Sequence, residues 1–108
     1  MLSGYRLMWL FVMFDLPVIT KTQRQQANRF RLDLLDLGFL RCQLSVYMKF
    51  CTSRENVHSI RRQVFGKIPP KGTVTTMVIT DAQFKKIQTF QSRINIPQKN
   101  SPKQLELF

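Results

Sequence analysis

A chain of 108 residues with 44% hydrophobic content holds one domain with a sizeable core, and not two. Its 17 Lys and Arg against 6 Asp and Glu leave a formal net charge of +11, the footprint of a domain that meets a polyanion. The bases are spread along the chain and not gathered on one amphipathic helix, which favours nucleic acid over a membrane surface. No apolar run approaches the roughly 20 residues that cross a bilayer. The apolar segment Leu7–Phe14 runs straight into Asp15 and Pro17, without the small-residue cleavage site of a signal peptide. A cytoplasmic protein with no membrane partner is the expectation.

Trp9–Phe14 is apolar on both faces and reads as a central strand. Leu16-Pro17 ends it, because proline cannot donate to a ladder. Asp15, at its tip, has two readings of equal standing: a cap for the turn or the next helix, or a functional carboxylate at a strand end. A helix follows, started by Thr20 or Thr22 and stopped by Gly38. Its stripe Ala27, Phe30, Leu34, Leu37 faces a core. A second stripe, Lys21, Arg24, Asn28, Arg31, is either an ordinary solvated face or a row of anion contacts.

Phe39–Cys51 alternates as strand throughout, but its 13 residues exceed a typical strand of about 5–6. It is expected to split near Gln43–Ser45 into two strands joined by a tight connection or bulge. Thr52-x-x-Glu55 reads as a capping box, opening a helix with Val57, Ile60 and Val64 inward. Gly66 and Pro69-Pro70 end it. Val74–Ile79 is another alternating strand. Thr80 or Asp81 then caps a short helical turn, and Ile87–Phe90 reads as a short strand.

Residues 1–91 form the expected domain and 92–108 a polar tail, flexible or partner-docking. Its tip, Leu105-Glu106-Leu107-Phe108, either adds a strand to a partner, through Leu105, Leu107 and Phe108, or is a disordered end. The order β-α-β-β-α-β is that of an α+β, ferredoxin-like sandwich: one antiparallel sheet, two helices on one face, and a short extra C-terminal strand. Two helices cover only one face, while the first strand is apolar on both. A second copy packed sheet to sheet covers the other, which predicts a homodimer.

Few side chains suggest catalysis. Cys42 and Cys51 form no CxxC, and one histidine, His58, cannot complete a zinc site with them, so both read as buried free thiols. Asp33 and Asp36 sit on the first helix, solvated or paired with Arg29. "PPKG" has one glycine and is no phosphate loop. Asp15 alone is a poor ligand set for Mg²⁺, which wants octahedral oxygens. A two-fold axis would present two Asp15 residues to one shared Mg²⁺ or Mn²⁺.

Five blocks carry a resemblance: "FVMFDLPV" (Phe11–Val18), "FRLDLLDLGF" (Phe30–Phe39), "QLSVYMKFC" (Gln43–Cys51), "IPPKGTV" (Ile68–Val74) and "VITDAQF" (Val78–Phe84). In this order they resemble the CRISPR-associated adaptation protein Cas-two, in the form found with type II systems. The resemblance implies a ferredoxin-like homodimer at the centre of a complex with the CRISPR integrase (Cas-one), spacing duplex DNA for insertion into the CRISPR array. It also places the family's metal-site aspartate on Asp15, and with it a metal-dependent ribonuclease or deoxyribonuclease activity described for the family.

Two functions therefore compete. One is a scaffold that grips double-stranded DNA without reading its sequence, through phosphate contacts from Lys21, Arg24, Arg31, Arg61, Arg62, Lys67 and Lys71. The other is a Mg²⁺-dependent endonuclease with Asp15 as ligand. A toxin-like ribonuclease or RNA-binding module on the same fold is a third.

Overall fold

The computed structural model describes residues 7–92. Its elements run β1 (Met8–Asp15), α1 (Lys21–Asp36), β2 (Leu40–Gln43), β3 (Val46–Cys51), α2 (Arg54–Phe65), β4 (Thr73–Thr80) and a single-turn α3 (Asp81–Phe84). The sheet is antiparallel with order β2-β3-β1-β4, so β1 is central, as its double apolar character requires. This is the expected α+β, ferredoxin-like arrangement.

Alternation sorts the sheet into two faces. Leu10 and Val12 of β1, with Tyr47 and Cys51 of β3, meet Phe30 and Leu34 of α1 and Val57, Ile60 and Val64 of α2 in one buried core. Phe14 extends it, packed edge-on against the Phe30 ring at 5.2 Å. Both long helices thus lie on one face, and Trp9, Phe11 and Met13 point to the other.

Local chemistry explains the boundaries. Thr20 caps α1: its hydroxyl accepts from the Gln23 amide at 3.1 Å, and the Gln23 side chain accepts from the Thr20 amide at 3.1 Å. The cap fixes the chain's exit from the Asp15 turn. Thr20→Ala is expected to cost about 1 kcal/mol, read as a lower urea midpoint at unchanged slope. At the other end Gly38 adopts φ 95°, a left-handed value that favours glycine. The Gly38 and Phe39 amides return to the Leu35 and Leu34 carbonyls, a Schellman closure sealed by the buried Phe39–Leu34 pair.

The long alternating segment divides at Leu44-Ser45, with a register shift between Arg41 and Gln43, so the expected break and bulge are both present. The cap of the expected Thr52–Glu55 box is displaced by one residue. Ser53 is the cap and accepts from the Asn56 amide at 3.0 Å, while the Thr52 amide donates to the Asn56 side chain. The reciprocal box is not formed, since the Asn56 side chain accepts from Thr52, one residue before the cap, and Glu55 is left to complement the positive end of the helix dipole.

Thr80 caps α3, as one of the two readings had it. Residues 87–92 form no strand, so the reading of Ile87–Phe90 as one is corrected. The α3 turn carries the chain away from the β4 edge and over the sheet, where Phe84 stacks on Trp9, so these residues do not run alongside an edge strand. The tail tip Leu105–Phe108 lies outside the described residues. Among those described, no helix is long and apolar enough to cross a membrane.

Candidate metal and nucleic-acid site

Asp15 is the last residue of β1, exposed, and shares the face opposite the two long helices with Trp9, Phe11 and Met13. Three contacts set its backbone. It pairs with Thr73 across the β1–β4 ladder. The Phe14 amide before it donates to the Ser45 carbonyl in the β2–β3 turn at 3.1 Å. The third is Gly72, the glycine of "PPKG", at φ 106°. A β-carbon there would meet the Asp15 carbonyl oxygen at 2.8 Å, the Leu16 Cδ2 at 2.8 Å and the Pro17 Cδ at 3.0 Å. The motif that is no phosphate loop is instead a clamp on the aspartate turn. Sequence reasoning missed this role for Gly72; its signal was a glycine two residues after Pro69-Pro70, just before β4, where a bulkier residue would have served an ordinary loop.

The two readings of Asp15 now separate. The cap of α1 is Thr20, and no hydrogen bond or ion pair among the described residues engages the Asp15 carboxylate. A capping role is therefore excluded. The carboxylate is a hard oxygen donor free in solvent, chemistry that suits Mg²⁺ or Mn²⁺. Among the described residues, however, no group of three or more His, Cys, Asp and Glu side chains comes together. Within the described residues of one protomer, Asp15 is therefore not part of a three-ligand side-chain cluster.

The same face remains apolar away from the tip. Val46, Met48 and Phe50 of β3 stand opposite Met13, Phe11 and Trp9, and Met77 and Ile79 flank them on β4. Part of it is covered from within the chain. The Phe84 ring of α3 stacks on Trp9 at 4.0 Å, and the Trp9 indole N–H donates to the Asp81 carboxylate at 2.9 Å. Beyond that cover Leu40, Phe50 and Met77 stay exposed.

The seven candidate bases do not form one surface. Lys21, Arg24 and Arg31 share one flank of α1, Lys21 and Arg24 exposed and Arg31 half-buried. Arg24 is also a loop clamp: its guanidinium donates to the Val18 and Ile19 carbonyls at 3.2 and 2.9 Å. Arg61 and Arg62 belong to α2, where the Arg61 Nε donates to the Thr76 hydroxyl of β4 at 3.2 Å. Lys67 and Lys71 are exposed on the connection to β4. Lys67 borders a groove with Arg29 from the other flank of α1, but Arg29 is held by Asp33 and Asp36, the paired one of the two readings of those acids.

Cys51 is buried and Cys42 half-exposed, both unpaired. Burial pushes both thiols up from their ordinary pKa, at Cys51 against a weaker opposing pull from the Lys49 ammonium. The neutral thiol is favoured, which is the opposite of what a nucleophile needs.

Comparison with known proteins bears on the fold and the family. Residues 8–87 match the family described as CRISPR associated protein Cas2. The chain is 48% identical over its full length, and that of the relative, to the CRISPR-associated endoribonuclease Cas2 of Paracidovorax avenae. It is 39% identical to the protein of the same name from Flavobacterium psychrophilum, over 99% of this chain and 93% of that one. A solved structure described as "Crystal structure of cas2" superposes with a TM-score of 0.56, over 85% of this chain and 97% of that one. At 15% identity it bears on the fold alone. A relative matched from end to end, and a family match that spans every described strand from β1 to β4, make this chain a member of the CRISPR-associated Cas2 family.

Proposed function

We propose that this protein acts as a homodimeric, sequence-independent scaffold for double-stranded DNA in CRISPR adaptation, in complex with the CRISPR integrase. The observation that carries the reading is uncompensated charge. Among the described residues only Arg29 and Lys85 are ion-paired, which leaves Lys21, Arg62, Lys67 and Lys71 exposed for phosphate oxygens. Contacts of this kind hold any duplex and read none. The apolar sheet face left beyond Phe84 supports a second copy as its cover.

Duplex affinity is expected to fall at least about tenfold between roughly 50 and 200 mM salt, as released counterions dictate, and to vary little with base sequence. Fluorescence anisotropy with two unrelated duplexes measures both. A salt-insensitive affinity counts against the scaffold.

The exposed, unengaged carboxylate of Asp15 favours a second reading, and the relatives' name, CRISPR-associated endoribonuclease, supports it. Here Asp15 from each of two copies would hold one Mg²⁺ or Mn²⁺. When bound, such an ion supplies an activated water for phosphodiester hydrolysis. The rest of this chain's contribution is positional: Gly72 and the Ser45 carbonyl hold the aspartate turn, and the bases hold the strand.

A further inference from the structure

On α2, His58, Arg61, Arg62 and Phe65 fall at i, i+3, i+4 and i+7, a single flank of the helix distinct from the core-facing Val57, Ile60 and Val64. This flank borders a cleft of about 380 Å³ between α2 and β4, floored by Val64, Ile68 and Val74. The size falls within the roughly 300–1,000 Å³ of small-ligand sites. Phe65 is 77% exposed in it and, among the described residues, touches no other ring. A large apolar ring left bare beside two guanidinium groups is unusual for a helix that packs on a sheet.

We infer that the α2–β4 cleft binds an unpaired nucleotide, its base stacked on Phe65 and its phosphate held by Arg61 and Arg62. The inference rests on the nucleic-acid reading above for the class of ligand, and assigns a contact of a different kind. The Thr76 hydroxyl takes the Arg61 Nε–H at 3.2 Å, which orients that guanidinium and leaves its terminal nitrogens for a phosphate. No carboxylate lines the cleft to compete with the anion. The C-terminal end of α2 opposes an anion with roughly half a negative charge, but that field fades within the last turn. Two full positive charges outweigh it, and the phosphate is placed toward His58 and Arg61, a turn back from Gly66. Phe65, nearer the helix end, is left for the base. A base inside a duplex has both faces stacked, so a lone aromatic ring selects one that has left the helix. A frayed or overhanging strand end and a free nucleotide present the same chemistry.

The test uses the full chain and three probes: a blunt duplex, the same duplex with a short overhang carrying 2-aminopurine, and dAMP alone. The overhang is expected to bind more tightly than the blunt end, with its fluorescence quenched by stacking. Phe65→Ala should weaken overhang binding roughly tenfold and abolish the quench, with the blunt duplex unaffected. Phe65→Trp should retain the quench, which separates loss of stacking from loss of fold. Saturable binding of dAMP that depends on Phe65 points to a free nucleotide, and an effect confined to the overhang points to a strand end; either supports the site. Unchanged affinity and quench in Phe65→Ala overturn it. If the blunt duplex fails to bind at all, the scaffold reading falls, while the Phe65 comparison on overhang and dAMP still decides this one.

Discussion

Replacing Asp15 with alanine is expected to cut any metal-dependent strand cleavage by more than the 10- to about 100-fold typical of groups one shell removed from a metal. Duplex binding should stay within about twofold of the parent, since Asp15 is exposed and, among the described residues, has no partner left unsatisfied by its removal. Its loss also removes a negative charge from a strongly positive chain, so any small change in binding should be a gain. The two proposed functions separate here. A scaffold keeps its DNA affinity and its spacer acquisition with the integrase, and a nuclease loses its activity. Loss of duplex binding in Asp15→Ala would contradict the scaffold reading, because phosphate contacts are assigned to bases elsewhere. Cleavage assayed with and without Mg²⁺, beside anisotropy on the same preparations, measures both.

Gly72→Val is expected to destabilise the domain by about 2–5 kcal/mol. A β-carbon at φ 106° costs about 1–2 kcal/mol in backbone strain, and overpacking against the neighbouring turn adds about 1–3 kcal/mol. In a domain near this size that corresponds to a loss of about 10–30 °C in Tm by calorimetry. The atoms in the way are the Asp15 carbonyl, Leu16 and Pro17, so the substitution displaces the aspartate turn first. The amide resonances of Asp15 and Leu16 should therefore shift even in the folded fraction. A Tm unchanged from the parent would mean that the clamp does not hold.

What the sequence revealed, it revealed where a signal was local or periodic. The doubly apolar Trp9–Phe14 run placed β1 at the centre of the sheet. The excessive length of Phe39–Cys51 announced a hairpin, and Gly38 marked the end of α1. Asp15 was legible as a strand-tip carboxylate, but its freedom from capping was not, because Thr20 and Asp15 both carry a suitable oxygen. Competition between adjacent equivalents also displaced the α2 cap from Thr52 to Ser53. Relations between distant segments were invisible. Nothing in "TDAQF" tells that Phe84 returns to stack on Trp9, and nothing in "KGT" tells that Gly72 lies against Asp15. The bases read as one set, yet the fold divides them between a flank of α1 and the α2–β4 end, and turns Arg24 partly inward to its own loop.

The placement of β4 has a consequence during synthesis. β1 is translated first, yet one of its two neighbours in the sheet is translated last, and the bond from Trp9 to Asp81 joins positions 72 apart. Closing so long a loop is entropically slow. Until residues 73–84 have left the ribosome, β1 presents an open edge and a bare aromatic face, the features that make nascent chains aggregate. The aspartate turn is also without its glycine clamp until then. A product truncated before β4 therefore carries Asp15 without the Gly72 contact and the Thr73 pairing that set its turn.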